Sequence, residues 1–206
     1  MKKQRGFNLI ELMTVVALTG VLLGVGLPAM RTFSFDNRIT TQINAFSSSL
    51  SLARSEAVKS NQNVVVCPSI NGSTCASAGT DWNKGYLTFI DRANSATANQ
   101  VDDDGGGNAS DDPCGPDAGD DTKDDCILSY IQELSPSTTT LKSTASFANF
   151  ISYDALGRSN TSGLFVICDH RGDESAKALV VSTTGRVSVT TKFTNGNPLK
   201  CASPFN

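Results

Sequence analysis

The sequence holds a single histidine, His170, among its 206 residues, and that scarcity removes several chemistries at once. No His-Glu-x-x-His motif can occur, so that kind of zinc-protease centre is excluded. A Ser-His-Asp triad would have to use His170, which stands between Asp169 and Arg171 in an expected turn and reads as a solvated surface residue. No glycine-rich loop leads into Lys-Ser or Lys-Thr, which removes the usual phosphate cradle. Aromatic residues make up only 7% of the chain, with one tryptophan, as in a globular domain rich in loops. Positive charge is also short: 17 Lys+Arg against 20 Asp+Glu give a net charge of −3. A mildly acidic chain is not a default nucleic-acid binder. Neither an enzyme nor a resident cofactor is expected.

Cysteine is not scarce. Six residues, Cys67, Cys75, Cys114, Cys126, Cys168 and Cys201, all follow the first apolar segment. Their wide spacing and the lone histidine do not suit zinc, whereas an even set suits disulfides in an oxidising compartment. Fifteen connectivities are possible for six cysteines. Adjacency in sequence favours Cys67–Cys75, Cys114–Cys126 and Cys168–Cys201.

The N-terminus carries the strongest pattern. Lys2, Lys3 and Arg5 precede Gly6, and an apolar run from Phe7 to Met30 contains one charge, Glu11. As a helix, 7–30 would be about 36 Å long at ~1.5 Å per residue, enough for a hydrocarbon core of about 30 Å. The basic residues put that end in the cytoplasm. A cleaved secretory signal has its small-residue site after the apolar core. Here the only cleavage-like residue, Gly6, comes before it, so processing would leave the helix in place. Removing Lys2, Lys3 and Arg5 leaves 14 basic against 20 acidic residues, a net charge near −6. A carboxylate in lipid costs about 3 kcal/mol and calls for a partner. Cleavage after Gly6 would create one, the α-amine of Phe7 on a neighbouring subunit.

Lys-x-x-Arg-Gly-Phe-x-Leu-Ile-Glu-Leu over residues 2–12 closely resembles the leader of type IV pilins and type II secretion pseudopilins. The resemblance implies cleavage by a prepilin peptidase between Gly6 and Phe7, N-methylation of Phe7, and a role for Glu11 in aligning subunits. Gly20 and Pro28 match residues bracketing a helical stretch that loosens in assembled pili.

Beyond Pro28, Ile39, Ile43, Phe46, Leu50, Ala53 and Ala57 form one apolar stripe at helical spacing, ending at Ser60-Asn61. Strands are expected near Asn63–Cys67, Gly85–Asp91, Ile127–Glu133, Phe147–Tyr153, Gly163–Asp169, Ala178–Thr183 and Arg186–Phe193. Thr184-Gly185 signals a hairpin. The connections are too short for crossover helices, so the expected fold is α+β, a long N-terminal helix packed on a largely antiparallel sheet. The divisions are a leader 1–6, a membrane and filament-core helix 7–30, an amphipathic helix 31–60, and a β-rich head 61–206 with an acidic insertion 94–125. About 175 residues beyond the anchor suffice for one domain.

Cys67-Pro-Ser-x-Asn-Gly-x-x-Cys75, Trp82-Asn-x-Gly85-Tyr-Leu-Thr-Phe-Ile-Asp91, Phe165-Val-Ile-Cys168 and Thr184-Gly185-Arg186-Val187 narrow the likeness to the FimT/FimU/GspH-type minor pilins and pseudopilins. Trp82 reads as a core anchor. Only the insertion departs from the pattern. Its ten aspartates and three consecutive glycines read as a solvated loop. Calcium is the one cofactor that composition admits, although the EF-hand spacing is not met.

Relatives that take up DNA are arginine-rich where this chain has Arg186 to Lys192. On one strand, Arg186, Ser188, Thr190 and Lys192 would share a face with only two bases, so DNA is an alternative rather than an expected partner. The resemblance implies a minor pilin at or near a type IV pilus tip that helps prime assembly. A DNA-uptake pilin and a type II secretion pseudopilin are the alternatives. Implied partners are other minor pilins, a major pilin, the prepilin peptidase and the inner membrane. The head would be periplasmic, then carried on a surface pilus.

Overall fold

A computed structural model describes residues 8–76, 82–92, 125–132, 139–193 and 196–201, with the side chains of 25–29 left aside. The chain divides into two compact units, Met1–Arg38 and Ile39–Asn206. One helix, α1 (Leu9–Ser60), contributes residues to both. It runs unbroken through Gly20 and Pro28, the two residues that the resemblance ties to a stretch loosening in assembled pili. A proline removes one donor and crowds one turn, which kinks a helix as readily as it ends one. The end comes at Asn61, whose φ of 55° is the left-handed conformation that asparagine tolerates better than most residues.

The second unit is built on the predicted stripe. Ile39, Ile43, Phe46, Leu50, Ala53 and Ala57 are all buried. They pack on two four-stranded antiparallel sheets rather than one. The first comprises β1 (Asn63–Pro68), β2 (Gly85–Asp91), β3 (Cys126–Gln132) and β5 (Ile151–Tyr153), in the order β3-β2-β1-β5. The second comprises β4 (Thr139–Ser143), β6 (Gly163–Asp169), β7 (Lys177–Val181) and β8 (Val187–Thr190), in the order β4-β6-β7-β8.

Alternation sorts the side chains. Val64, Val66, Tyr86, Ile90, Ile151 and Tyr153 of the first sheet, and Leu141, Phe165, Ile167, Leu179 and Val181 of the second, join the helix stripe in one core. The opposite faces form satellite clusters. Val65, Cys67, Leu87 and Phe89 make one, and Val166, Cys168, Ala176, Ala178 and Leu199 make the other. Strands β1 and β2 are therefore covered on both faces, which explains their near-continuous apolar runs.

Disulfides close both outer faces. Cys67–Cys75 spans 5.6 Å between Cα atoms beside the first cluster, and Cys168–Cys201 spans 5.9 Å beside the second. Cys126 is disulfide-bonded, while Cys114 lies outside the described residues. The loop closed by Cys67–Cys75 is organised by Ser69, whose Oγ donates to Thr74 O at 2.7 Å and accepts from Gly72 N at 3.0 Å. Asn71 Oδ1 accepts from the amides of Ser73 and Thr74, an Asx turn.

Three strand expectations differ from the structure. β4 was not anticipated, because Thr-Thr-Leu-Lys-Ser has a single apolar residue and sits at a sheet edge. The strand expected over Phe147–Tyr153 is only Ile151–Tyr153, since Ala145–Phe147 forms a 3-10 turn that buries Phe147. The last strand stops at Thr190, where Thr190 Oγ1 donates to Lys192 O at 2.8 Å and accepts from Lys192 N at 3.2 Å. That local pairing competes with the ladder.

Candidate functional site

Two surfaces stand out. The first is the helix surface of the N-terminal unit. Leu9, Ile10, Leu12, Met13, Val15, Val16, Leu18, Val21, Leu22 and Leu23 are all exposed, from 52% to 74%. Adjacent residues on a helix point about 100° apart, so pairs such as Leu12–Met13 and Leu22–Leu23 leave no polar face. Thr14 and Thr19 turn their hydroxyls inward, donating to Glu11 O at 2.9 Å and Val15 O at 2.7 Å. A helix that is apolar all round belongs inside lipid or inside other protein. Glu11, in its first turn, is the only charge between Asn8 and Met30. Gly6 and Phe7 lie outside the described residues. Among the described residues no helix is long and apolar enough to cross a membrane.

The second surface lies on the head, where two turns of the same construction meet on one arginine. In Asp154-Ala-Leu-Gly157-Arg158, Gly157 N donates to Asp154 O at 2.8 Å and Asp154 N to Arg158 O at 2.9 Å. In Ser182-Thr-Thr-Gly185-Arg186, Gly185 N donates to Ser182 O at 2.8 Å and Ser182 N to Arg186 O at 3.0 Å. Both glycines have positive φ, 71° and 76°, as the three-residue hairpin requires. A Cβ on Gly185 would overlap the Gly157 carbonyl oxygen, so the two turns touch backbone to backbone.

Arg54 of α1 ties them together. Its Nε donates to Gly157 O at 2.9 Å and its Nη2 to Thr184 O at 3.1 Å. Burial pushes the nearby Tyr153 hydroxyl well above its ordinary range, and the Arg54 charge offsets part of that. Asp154 goes the other way. Burial raises its carboxyl, but hydrogen bonds from Arg158 and Leu156 outweigh that and hold it below the ordinary carboxylate value. Beside Arg54 is a groove of about 610 Å³ lined by Ser47, Ser51, Arg54, Ser55, Val58, Gly185, Arg186 and Val187. Arg54→Ala is expected to cost about 1–3 kcal/mol and to raise amide exchange at Gly185 and Arg186. Unchanged stability and exchange would show that the turns hold each other without it.

The expected basic face of the last strand does not form. Arg186 is the closing residue of the hairpin, and Lys192 lies past the end of β8 in a bridge to Pro198. Both are exposed, but neither belongs to the strand meant to align them. Trp82 is buried, edge-on to Phe46 at 5.7 Å and Phe165 at 5.0 Å. His170 follows β6 in a turn whose ends are tied by Asp169 and Arg171, an ion pair at 2.8 Å. Most of the acidic insertion, 94–124, lies outside the described residues. Its two roots are buried carboxylates, Asp91 and Asp125, and Asp125 Oδ1 accepts from Arg92 N at 3.0 Å. Sequence reasoning missed Arg54 and the Gly157 turn. The one available signal was the repeat of a polar residue, two spacers and Gly-Arg.

Residues 42–185 match the family described as Type II transport protein GspH. The chain belongs to the GspH family. Residues 1–27 match the Prokaryotic N-terminal methylation motif, so this GspH-family chain also carries the N-terminal signature of pilin-type subunits. The fold is similar to the type IV minor pilin FimU of Pseudomonas aeruginosa, with 19% identity and a TM-score of 0.52 over 82% of this chain and 99% of that one. A weaker likeness links it to the minor pseudopilin EpsH of the Vibrio cholerae Type 2 Secretion System. There the identity is 11% and the TM-score 0.42, over 74% of this chain and 96% of the other. The GspH-family chain is thus a minor pilin or pseudopilin with an α+β pilin fold.

Proposed function

We propose that this protein is a minor pilin of a type IV pilus, acting at or near the tip to prime assembly with other minor pilins. Residues 1–6 are removed by a prepilin peptidase, Phe7 becomes the methylated N-terminus, and 7–30 leaves the inner membrane for the filament core. Glu11 sets the axial register by pairing with the Phe7 amine of a neighbour. The head stays periplasmic until it is carried outward. The role is structural and uses no cofactor.

The observation that carries this reading is the helix surface, apolar on every side and exposed along Leu9–Leu23, with one carboxylate at its start. A lipid-soluble rod with a single charge can exchange lipid for like helices and still be held in register. The two disulfides on the head's outer faces suit a subunit that ends outside the cell.

Chemical crosslinking of the full-length chain in intact cells, followed by affinity capture, tests the assignment. Adducts with pilus subunits are expected. Adducts confined to secretion pseudopilins would move the protein to a type II secretion machine. Tight DNA binding by the full chain at moderate salt, lost on Arg186→Ala, would make it a DNA-uptake pilin instead.

A further inference from the structure

The edge of the second sheet at β8 is short, uncharged and partly exposed. Val187-Ser-Val-Thr190 has high β-propensity, no proline and no charge. Folded proteins normally blunt such edges with lysine, proline or shortness. The opposite edge of the same sheet, β4, carries Lys142, and β5 at an edge of the first sheet is three residues long; β3, the other edge of the first sheet, is uncharged like β8, so what distinguishes β8 is the arginine-lined groove at its start. β8, four residues long between Arg186 and Lys192, carries no charge of its own and leaves Val189 51% exposed.

The register says which backbone groups of β8 point away from β7. Ser182 N donates to Arg186 O, closing the hairpin with a bonded pair. From there the pairs run Val181 with Val187, Val180 with Ser188, Leu179 with Val189 and Ala178 with Thr190. Bonded and non-bonded pairs alternate along an antiparallel ladder. Ser188 and Thr190 therefore bond to β7, and the N–H and C=O groups of Val187 and Val189 point outward.

Beside the start of this edge lies the groove of about 610 Å³, with serine hydroxyls of α1 on one side and Arg186 and Val187 on the other. Two guanidinium groups and no carboxylate line it. Arg54 spends its described bonds on neutral carbonyls, and the Arg186 guanidinium has no ion pair among the described residues. In a chain of net charge −3 this is a local positive site.

We propose that β8 accepts an extended segment of a different pilin-type subunit as an added strand. The segment bonds to the outward groups of Val187 and Val189, packs a small apolar side chain on Val189, and places an Asp or Glu against Arg186 and Arg54. Strand addition of this kind draws affinity from main-chain bonds and specificity from alternate side chains. The inference rests on the filament-subunit reading and names the surface and chemistry of one contact within it.

A photo-crosslinking residue placed at Ser188 of the full-length chain, in cells that assemble filaments, tests it. The expected adduct maps to an extended, carboxylate-bearing segment of another pilin-type subunit. Val189→Pro deletes an outward N–H and leaves the bonds to β7 in place, a substitution that edge strands tolerate. It is expected to cut the adduct at least about tenfold with the melting temperature unchanged. Val189→Thr keeps the N–H and the adduct, whereas Arg186→Glu loses it. An adduct unaffected by both Val189→Pro and Arg186→Glu overturns the inference. So does one formed with a second copy of this chain, with a helix or with nucleic acid. Parent protein present in sheared filaments without any Ser188 adduct overturns the inference alone. Its absence from filaments overturns the filament reading as well.

Discussion

Glu11→Ala is expected to leave membrane insertion intact and to reduce the chain's recovery in sheared filaments at least about tenfold. The two halves of that result come from the same carboxylate. In lipid, Glu11 is a liability of about 3 kcal/mol, so removing it makes insertion no harder. In the proposed filament core, the surface that Leu9–Leu23 offers its neighbours is apolar apart from Glu11, and apolar helices slide past one another at little cost. A carboxylate that must meet an α-amine singles out one axial position. Loss of ~1.4 kcal/mol in that contact already gives a factor of ten. Quantifying the protein in membrane and sheared fractions separates the two halves. Equal recovery of mutant and parent in filaments would remove Glu11 from the assembly step.

Phe46→Ala is expected to have the largest effect on stability. Phe46 is fully buried and meets three rings edge-on: Tyr86 at 4.9 Å, Trp82 at 5.7 Å and Phe165 at 4.7 Å. Tyr86 belongs to β2 in the first sheet and Phe165 to β6 in the second, so one helix side chain joins both sheets. Truncating a buried Phe costs about 3–5 kcal/mol, a large part of the 5–15 kcal/mol that typically holds a domain together. At roughly 2–4 °C per kcal/mol for a domain of this size, the melting temperature should fall by about 6–20 °C. A fall below about 2 °C would mean that the core can close over the missing ring.

Much of this architecture was legible because it is local. The stripe Ile39 to Ala57 repeats at helical spacing, and all six of its members are buried. β2 and β6 were anticipated at their observed limits, Gly85–Asp91 and Gly163–Asp169, because glycine precedes an apolar run in each. Thr184-Gly185 marked a real turn, with Gly185 at φ 76°. β4 escaped notice because an edge strand with one apolar residue shows almost no alternation.

By itself the sequence determined the apolar N-terminal run, the family and the stripe of α1 that is buried, since each is written in neighbouring residues. Only the tertiary structure decided that there are two sheets, that β8 ends at Thr190, and that Arg186 and Lys192 do not share a strand. It alone joined Arg54 to Gly157 and Thr184, 103 and 130 residues away in sequence. Those outcomes depend on which strands pair and which turns touch. No periodicity in a single segment encodes them.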